Sequence, residues 1–220
     1  MKLTQLHIQN FRSCRDISLE IGSIHALVGA NNAGKSTVLR ALDFLFNPSA
    51  KSLNEESFWN KDTTQEIRVE AVFSDLTKEE KGALNPYLKP DGTFHIARSA
   101  KMGTRGGESD EEQADDKIKI SQHYKKAIPE QKWLQEDNIN NENIKEWWKN
   151  NSQLTVAGVS FADSFNGASA PTISDWKEKA KAFVVTHADK ISMQDTWVEN
   201  PRGFANALKE TLPFFILIPA

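Results

Sequence analysis

The feature that most constrains this chain is a glycine-bounded loop between an apolar run and an amphipathic pattern. The loop reads Gly29-Ala30-Asn31-Asn32-Ala33-Gly34-Lys35-Ser36. Residues 24–28, which precede it, are mostly apolar, as in a buried strand. After the loop, apolar residues recur at helical spacing from Val38 to Phe46, and Asn47-Pro48 ends the pattern. The sequence therefore predicts a strand, a tight loop and a helix, in that order.

This loop matches the spacing G-x-x-x-x-G-K-[ST], the P-loop or Walker A pattern that binds nucleotide phosphates. Gly29 and Gly34 let the backbone curl with its amides inward, and the following helix adds its positive dipole end. We predict that Lys35 contacts the β- and γ-phosphates, because a compact ammonium fits between their oxygens. Ser36 offers a hydroxyl to Mg²⁺. ATP and Mg²⁺ are therefore the predicted cofactors.

The other positions of the loop have less specific chemistry. Ala33 is counted with the predicted nucleotide site because it lies inside the loop. Thr37 can contact the α-phosphate, or it can simply start the helix. Asn31 and Asn32 can donate side-chain amides to the γ-phosphate or to water, and turn formation explains them equally well.

Hydrolysis also needs carboxylates that hold Mg²⁺ and orient water, usually an Asp-Glu pair after an apolar run. The nearest approaches are Val69–Asp75 and Ala182–Asp189, and neither has that pair directly after the run. We interpret the first as an amphipathic strand and the second as a helix end. The sequence also has no LSGGQ-like segment, and its 5 histidines show no metal-ligand spacing. No catalytic residue is predicted.

Composition limits the class of protein further. The chain has 220 residues, 39% of them hydrophobic, which is enough for a sizeable core. A net charge of −3 gives no global basic field to attract nucleic acid. The single cysteine cannot form an internal disulfide, and neither a secretory signal nor a membrane-spanning run is present. We expect a cytoplasmic chain without a membrane partner. We also expect its tryptophans to pack in a core or lid rather than to stack on nucleic-acid bases.

The pattern along the chain predicts four regions. They are residues 1–48 with strands, the loop and the first helix; 66–126 with antiparallel strands and an acidic loop over 102–116; 129–211 as a helical insert; and 213–220 as the start of a core strand. The two-residue link Gly22-Ser23 predicts a hairpin into the strand at 24–28. Thr77 and Glu80 predict a capping box, and Asn200 predicts an N-cap. The sequence stops just after an apolar run, Phe214 to Ile218, and we interpret this as a strand of a longer protein at which the chain is truncated.

Residues near the N-terminus carry a family resemblance. Asn10-Phe11-Arg12-Ser13, followed by strands and then the P-loop, resembles the start of ABC-type ATPases of the RecF, SMC and OLD class. Two details are similar to the OLD (overcoming lysogenisation defect) nucleases, a group that also resembles the Gabija defence ATPase. They are Asn31-Asn32-Ala33-Gly34-Lys35-Ser36-Thr37 and the closing run from Phe215. The resemblance is strong over the first 48 residues and weak between Lys78 and Thr211.

The resemblance implies an α/β P-loop NTPase fold of ABC/SMC type, incomplete here, with a mixed sheet and flanking helices. It implies ATP binding that controls a DNA endonuclease, in DNA processing or phage defence, within a homodimer or higher oligomer. In that class a later portion supplies the signature loop, Walker B and a nuclease domain, so this chain alone is expected to be inactive. Arg12 carries over as a nucleotide-phosphate contact, although a surface arginine is an alternative.

Two other functions remain open from the sequence. One is a stand-alone module that binds nucleotide without hydrolysing it and recruits a partner. The other is an ATPase of DNA repair similar to SMC and RecF proteins. A reading frame that continues into an LSGGQ-like stretch and acidic nuclease motifs distinguishes the nuclease from the stand-alone module.

Overall fold

The computed structural model describes residues 1–31, 33–103, 118–165, 167 and 169–218. It divides into two compact units, one formed by Met1–Lys126 with Trp197–Ala220 and the other by Ala127–Thr196. The elements in chain order are β1 (Lys2–Phe11), β2 (Cys14–Glu20), α1 (Lys35–Phe46), β3 (Ile67–Ser74), α2 (Lys78–Leu84), β4 (Phe94–Met102), β5 (Ile118–Pro129), α3 (Asn141–Lys149), β6 (Thr155–Val156), β7 (Val159–Ser160), α4 (Ile173–Thr186), β8 (Met193–Glu199) and α5 (Phe204–Thr211). The chain leaves the first unit through β5 and returns to it through β8.

The first unit is built on a 6-stranded sheet in the order β2-β1-β3-β4-β5-β8. β1 pairs antiparallel with β2 and β3, and β4 pairs antiparallel with β3 and β5. Strict alternation in β3 buries Ile67, Val69, Ala71 and Phe73 on one face and leaves the residues between them, three of the four polar, partly exposed on the other. This period of two follows from the pleat of a strand, and it confirms the amphipathic strand predicted there.

Helix α1 covers the apolar face of this sheet. It buries Val38, Ala41, Phe44 and Leu45, and it contacts β1, β3 and β4. These residues recur three or four positions apart, so they lie on one side of the helix. The ring of Phe44 stacks on Phe11 of β1, with their centroids 6.1 Å apart. The helix that follows the predicted loop is therefore held against the core along its length.

The second unit has its own aromatic core. Trp176 of α4 and Phe161 are fully buried, with ring centroids 5.2 Å apart. The indole Nε1 of Trp176 donates a hydrogen bond to the carbonyl oxygen of Trp133, at 2.8 Å. Both tryptophans therefore pack in the interior, as predicted. Among the described residues of the chain, no helix is long and apolar enough to cross a membrane.

Two predicted strands do not form. Residues 24–28 have no regular structure, and Ile24 and Val28 are 94% and 93% exposed. Residues 213–218 are also irregular, with Phe214, Ile216 and Ile218 exposed, and 219–220 lie outside the described residues. An apolar run becomes a strand only beside a neighbour that satisfies its backbone hydrogen bonds. Within the described ranges, neither segment pairs with a strand of the sheet.

The predicted insert over 129–211 also differs from the structure. The second unit ends at Thr196, and α5 instead buries Phe204 and Leu208 in the core of the first unit. Asn200 is not an N-cap, because α5 begins at Phe204 after Gly203, whose φ is 83°. Asn200 accepts a bond from the backbone N–H of Gln122 instead, at 3.0 Å. From residue 104 to 116 the predicted acidic loop lies outside the described residues.

Candidate phosphate-binding site

The predicted loop ends where α1 begins. Gly34 is the N-cap residue, with φ 90° and ψ 2°, and Lys35 is the first helical residue. This left-handed conformation favours glycine because a Cβ there is strained. No described side chain caps this helix end, and its first turn holds no acidic residue. The first backbone N–H groups of α1 are thus available to an anion, at the positive end of the helix dipole.

The ammonium of Lys35 lies back across the loop. Its Nζ donates hydrogen bonds to the carbonyl oxygens of Gly29, at 2.9 Å, and of Ala30, at 2.7 Å. A turn within the loop brings the N–H of Ala33 to the same Ala30 oxygen, at 3.2 Å. The side chain that the sequence selects as the phosphate contact is therefore held over the loop rather than extended into solvent.

The remaining loop positions differ in exposure. Ser36, the predicted Mg²⁺ ligand, is exposed, and so are Gly29, Asn31 and Ala33. Asn32 lies outside the described residues. An exposed hydroxyl in the first turn of α1 is accessible to a metal ion that is held by a phosphate at that helix end.

Thr37 points inward instead. It is 8% exposed, and its Oγ1 is hydrogen-bonded to Oγ of Ser13, at 2.8 Å. Ser13 lies in the turn between β1 and β2, so the turn and the loop meet here. A Cβ on Gly34 would lie 3.3 Å from Oγ of Ser13 and 3.7 Å from Sγ of Cys14. Burial raises the pKa of the Cys14 thiol, which favours its uncharged form in this packing contact.

Arg12 occupies the same turn. Its φ is 50°, and its backbone N–H donates to the carbonyl oxygen of Ser57, at 2.9 Å. Its Nε is buried and has no hydrogen-bond partner among the described residues. Burial lowers the pKa of the guanidinium, Arg40 lowers it further, and Glu56 opposes both. Arg12 is thus a half-buried cation beside a second cation, and its contact with a phosphate stays a prediction.

The far end of α1 is held by a residue that sequence analysis did not select. Arg98 of β4 is 8% exposed, and its Nε donates to the carbonyl oxygen of Leu45, at 3.4 Å. Its Nη1 donates to Oε1 of Gln122. Burial lowers the pKa of Arg98 to about 10. A cation at a helix C-terminus is stabilised by the dipole, but only the folded structure shows that Arg98 reaches it.

The two segments rejected as Walker B candidates have the predicted structures. Residues 69–74 belong to the amphipathic strand β3, and 182–186 form the end of α4. In the described ranges no group of three or more His, Cys, Asp or Glu side chains is placed to hold a metal ion. The loop, the first turn of α1 and the β1–β2 turn therefore meet at one place, which is the candidate phosphate-binding site.

Parts of this chain are similar in sequence to known nucleases and ATP-binding proteins. The chain is 41% identical over 112 residues to an OLD nuclease of Thermus scotoductus and 32% identical over 117 residues to the Old nuclease of Escherichia phage P2. It is also 39% identical over 94 residues to the methionine import ATP-binding protein MetN of Chlamydia felis. These matches cover 49%, 50% and 42% of this chain, but only 19%, 19% and 25% of the relatives' own lengths.

A family model described as an AAA ATPase domain matches residues 1–211. This match confirms the predicted α/β P-loop NTPase fold, and the OLD relatives confirm the family resemblance. Members of such ATPase families bind nucleotide. About half of the chain is similar to OLD nucleases, and the match over residues 1–211 shows that the chain belongs to the AAA ATPase domain family.

Proposed function

We propose that this chain binds ATP with Mg²⁺ at the start of α1. One observation carries the proposal: Gly34 turns the backbone into an uncapped helix N-terminus, and the Lys35 ammonium is held on the carbonyl oxygens of the loop that leads into it. Backbone N–H groups, the helix dipole and a fixed cation all favour a polyphosphate at the same place. In this proposal Lys35 contacts the β- and γ-phosphates, and Ser36 contributes its hydroxyl to Mg²⁺.

The other predicted residues have supporting roles in the proposal. Gly29, Asn31 and Ala33 curve around the phosphates, and the side-chain amides of Asn31 and Asn32 are donors for the γ-phosphate or for water. Arg12 adds positive charge from the neighbouring turn. Its buried Nε has no hydrogen-bond partner within the described part of the chain, and Arg40 is a second cation nearby, so a bound anion would stabilise the guanidinium. Phosphate oxygens are strong acceptors for such a donor.

We further propose that nucleotide binding here controls a DNA endonuclease of OLD type, in DNA processing or phage defence. The support is the likeness to two proteins named as OLD nucleases, of which the chain spans about a fifth. In this proposal ATP hydrolysis and DNA cleavage belong to the complete protein, which acts as a homodimer or higher oligomer. Since the sequence holds no Walker B pair after an apolar run, the 220-residue chain alone binds nucleotide without appreciable turnover.

Amide hydrogen exchange with and without ATP and Mg²⁺ tests the location of the site. We expect slower exchange in peptides that cover residues 29–38, because bound phosphates accept hydrogen bonds from those amides. Peptides from 127–196, the second unit, serve as the internal control and should not change. Protection confined to some other segment, or none at 29–38 at saturating ATP, would contradict the proposal.

A further inference from the structure

The β1–β2 turn is fixed to the core by several independent contacts. Asn10 and Arg12 both have left-handed backbone conformations, with φ 53° and 50°. Asparagine adopts this conformation more readily than most residues, but for Arg12 it costs about 1 kcal/mol or more, so the surroundings must impose it there. The side-chain amide of Asn10 donates to the carbonyl oxygen of Glu66, at 3.0 Å, and Phe11 between the two is 2% exposed.

This rigid turn presents one hydroxyl to the nucleotide loop. Ser13 is hydrogen-bonded to Thr37 and lies close to where a Cβ on Gly34 would be, so it lies beside the N-cap and is bonded to the first turn of α1. The bond to Ser13 selects one orientation of Thr37 and ties the first turn of α1 to the sheet.

From this geometry we infer that Ser13 is a positioning residue for the candidate phosphate-binding site and acts through Thr37. It does not touch the nucleotide. Its hydroxyl fixes the first turn of α1 relative to β1 and β2, so that the amides from Gly34 to Thr37 are preorganised for phosphate. The inference rests on the proposed function, because it assigns a role within the ATP site.

A double-mutant cycle tests the inference on the whole 220-residue chain. Ser13→Ala, Thr37→Val and the double variant are titrated with ATP and Mg²⁺ in a calorimeter. We expect Ser13→Ala to weaken binding about fivefold, the equivalent of one net neutral hydrogen bond. The double variant should bind no more weakly than Thr37→Val, because Ser13 has lost its partner. Ser13→Thr keeps the hydroxyl and should restore most of the affinity.

Ser18→Ala is the matched control, since Ser18 is an exposed serine on β2. It should leave affinity unchanged. Additive losses in the double variant, or wild-type affinity in Ser13→Ala, would overturn the role of Ser13. Lys35→Ala distinguishes a wrong role for Ser13 from a wrong location of the ATP site. If Lys35→Ala also binds ATP like the wild type, the loop is not the ATP site.

Discussion

At the scale of single residues, the candidate site combines contacts that are local in the sequence with one that is not. Gly34 and Lys35 are adjacent, and their geometry follows from a helix that begins one residue after a glycine, so the spacing of the loop is enough to predict it. The bond between Ser13 and Thr37 spans 24 positions, so no local pattern reports it. Arg98 was missed for the same reason, since only the folded sheet brings it to the end of α1.

Substituting alanine at two glycines of the first unit, Gly34 and Gly82, should change the unfolding free energy in opposite directions. Gly34→Ala places a Cβ at φ 90° and 3.3 Å from Oγ of Ser13, so we expect a loss of about 1–2 kcal/mol in unfolding free energy. A Cβ on Gly82, inside α2, would have nothing within 4 Å of it, and Gly82→Ala should stabilise by up to about 1 kcal/mol. Urea denaturation measures both. Equal effects from the two variants would rule out backbone strain at Gly34.

At the scale of elements, predictions succeeded where the local pattern decided the outcome. The capping box formed as expected, with the Thr77 hydroxyl accepting from the N–H of Glu80 at 3.2 Å. Strand predictions failed at 24–28 and 213–218, because a strand depends on a neighbour that its own residues do not specify. The helix at α5 was correctly predicted, but its start depends on the left-handed Gly203 rather than Asn200.

Strands β4 and β5 also share a buried polar pair that is sensitive to pH. His123 is 6% exposed, and its Nε2 is hydrogen-bonded to Oγ of Ser99 at 2.9 Å. Burial lowers the pKa of His123 below its ordinary 6.5, and Arg68 and Lys101 lower it further, while Glu199 and Glu66 raise it. The unfolded chain therefore binds a proton at a higher pH than the folded chain does.

This difference predicts that the unfolding free energy falls as the pH drops below about 6.5, because protonation then favours the unfolded state. The loss is complete once the pH is below the lowered pKa of His123 in the folded chain. His123→Gln should flatten this part of the profile, whereas His25→Gln, at an exposed position, should not. Denaturant midpoints between pH 7.5 and 5 provide the measurement. Parallel profiles for the wild type and His123→Gln would contradict the prediction.

At the scale of the whole molecule, the chain has one unit that carries the candidate phosphate-binding loop and a second unit with its own aromatic core. The sequence predicts an ATPase fold, but the predicted insert ends at residue 211, whereas the second unit ends at Thr196. A helical pattern does not indicate which core a helix joins. Phe204 and Leu208 of α5 belong to the first unit, although they follow the second in sequence. The strand β8 that precedes α5 was not predicted, since its exposed, polar start lacks a clear period of two.

The central claim is that the loop at Gly29–Ser36 binds the phosphates of ATP through Lys35. Calorimetric titration of ATP and Mg²⁺ into the wild type, Lys35→Ala and the control Lys51→Ala, at an exposed lysine outside the loop, tests it most directly. Loss of a charge-assisted bond costs about 1.5–3 kcal/mol, so Lys35→Ala should weaken binding at least about tenfold. Lys51→Ala should bind like the wild type. Equal affinity of all three proteins would contradict the claim.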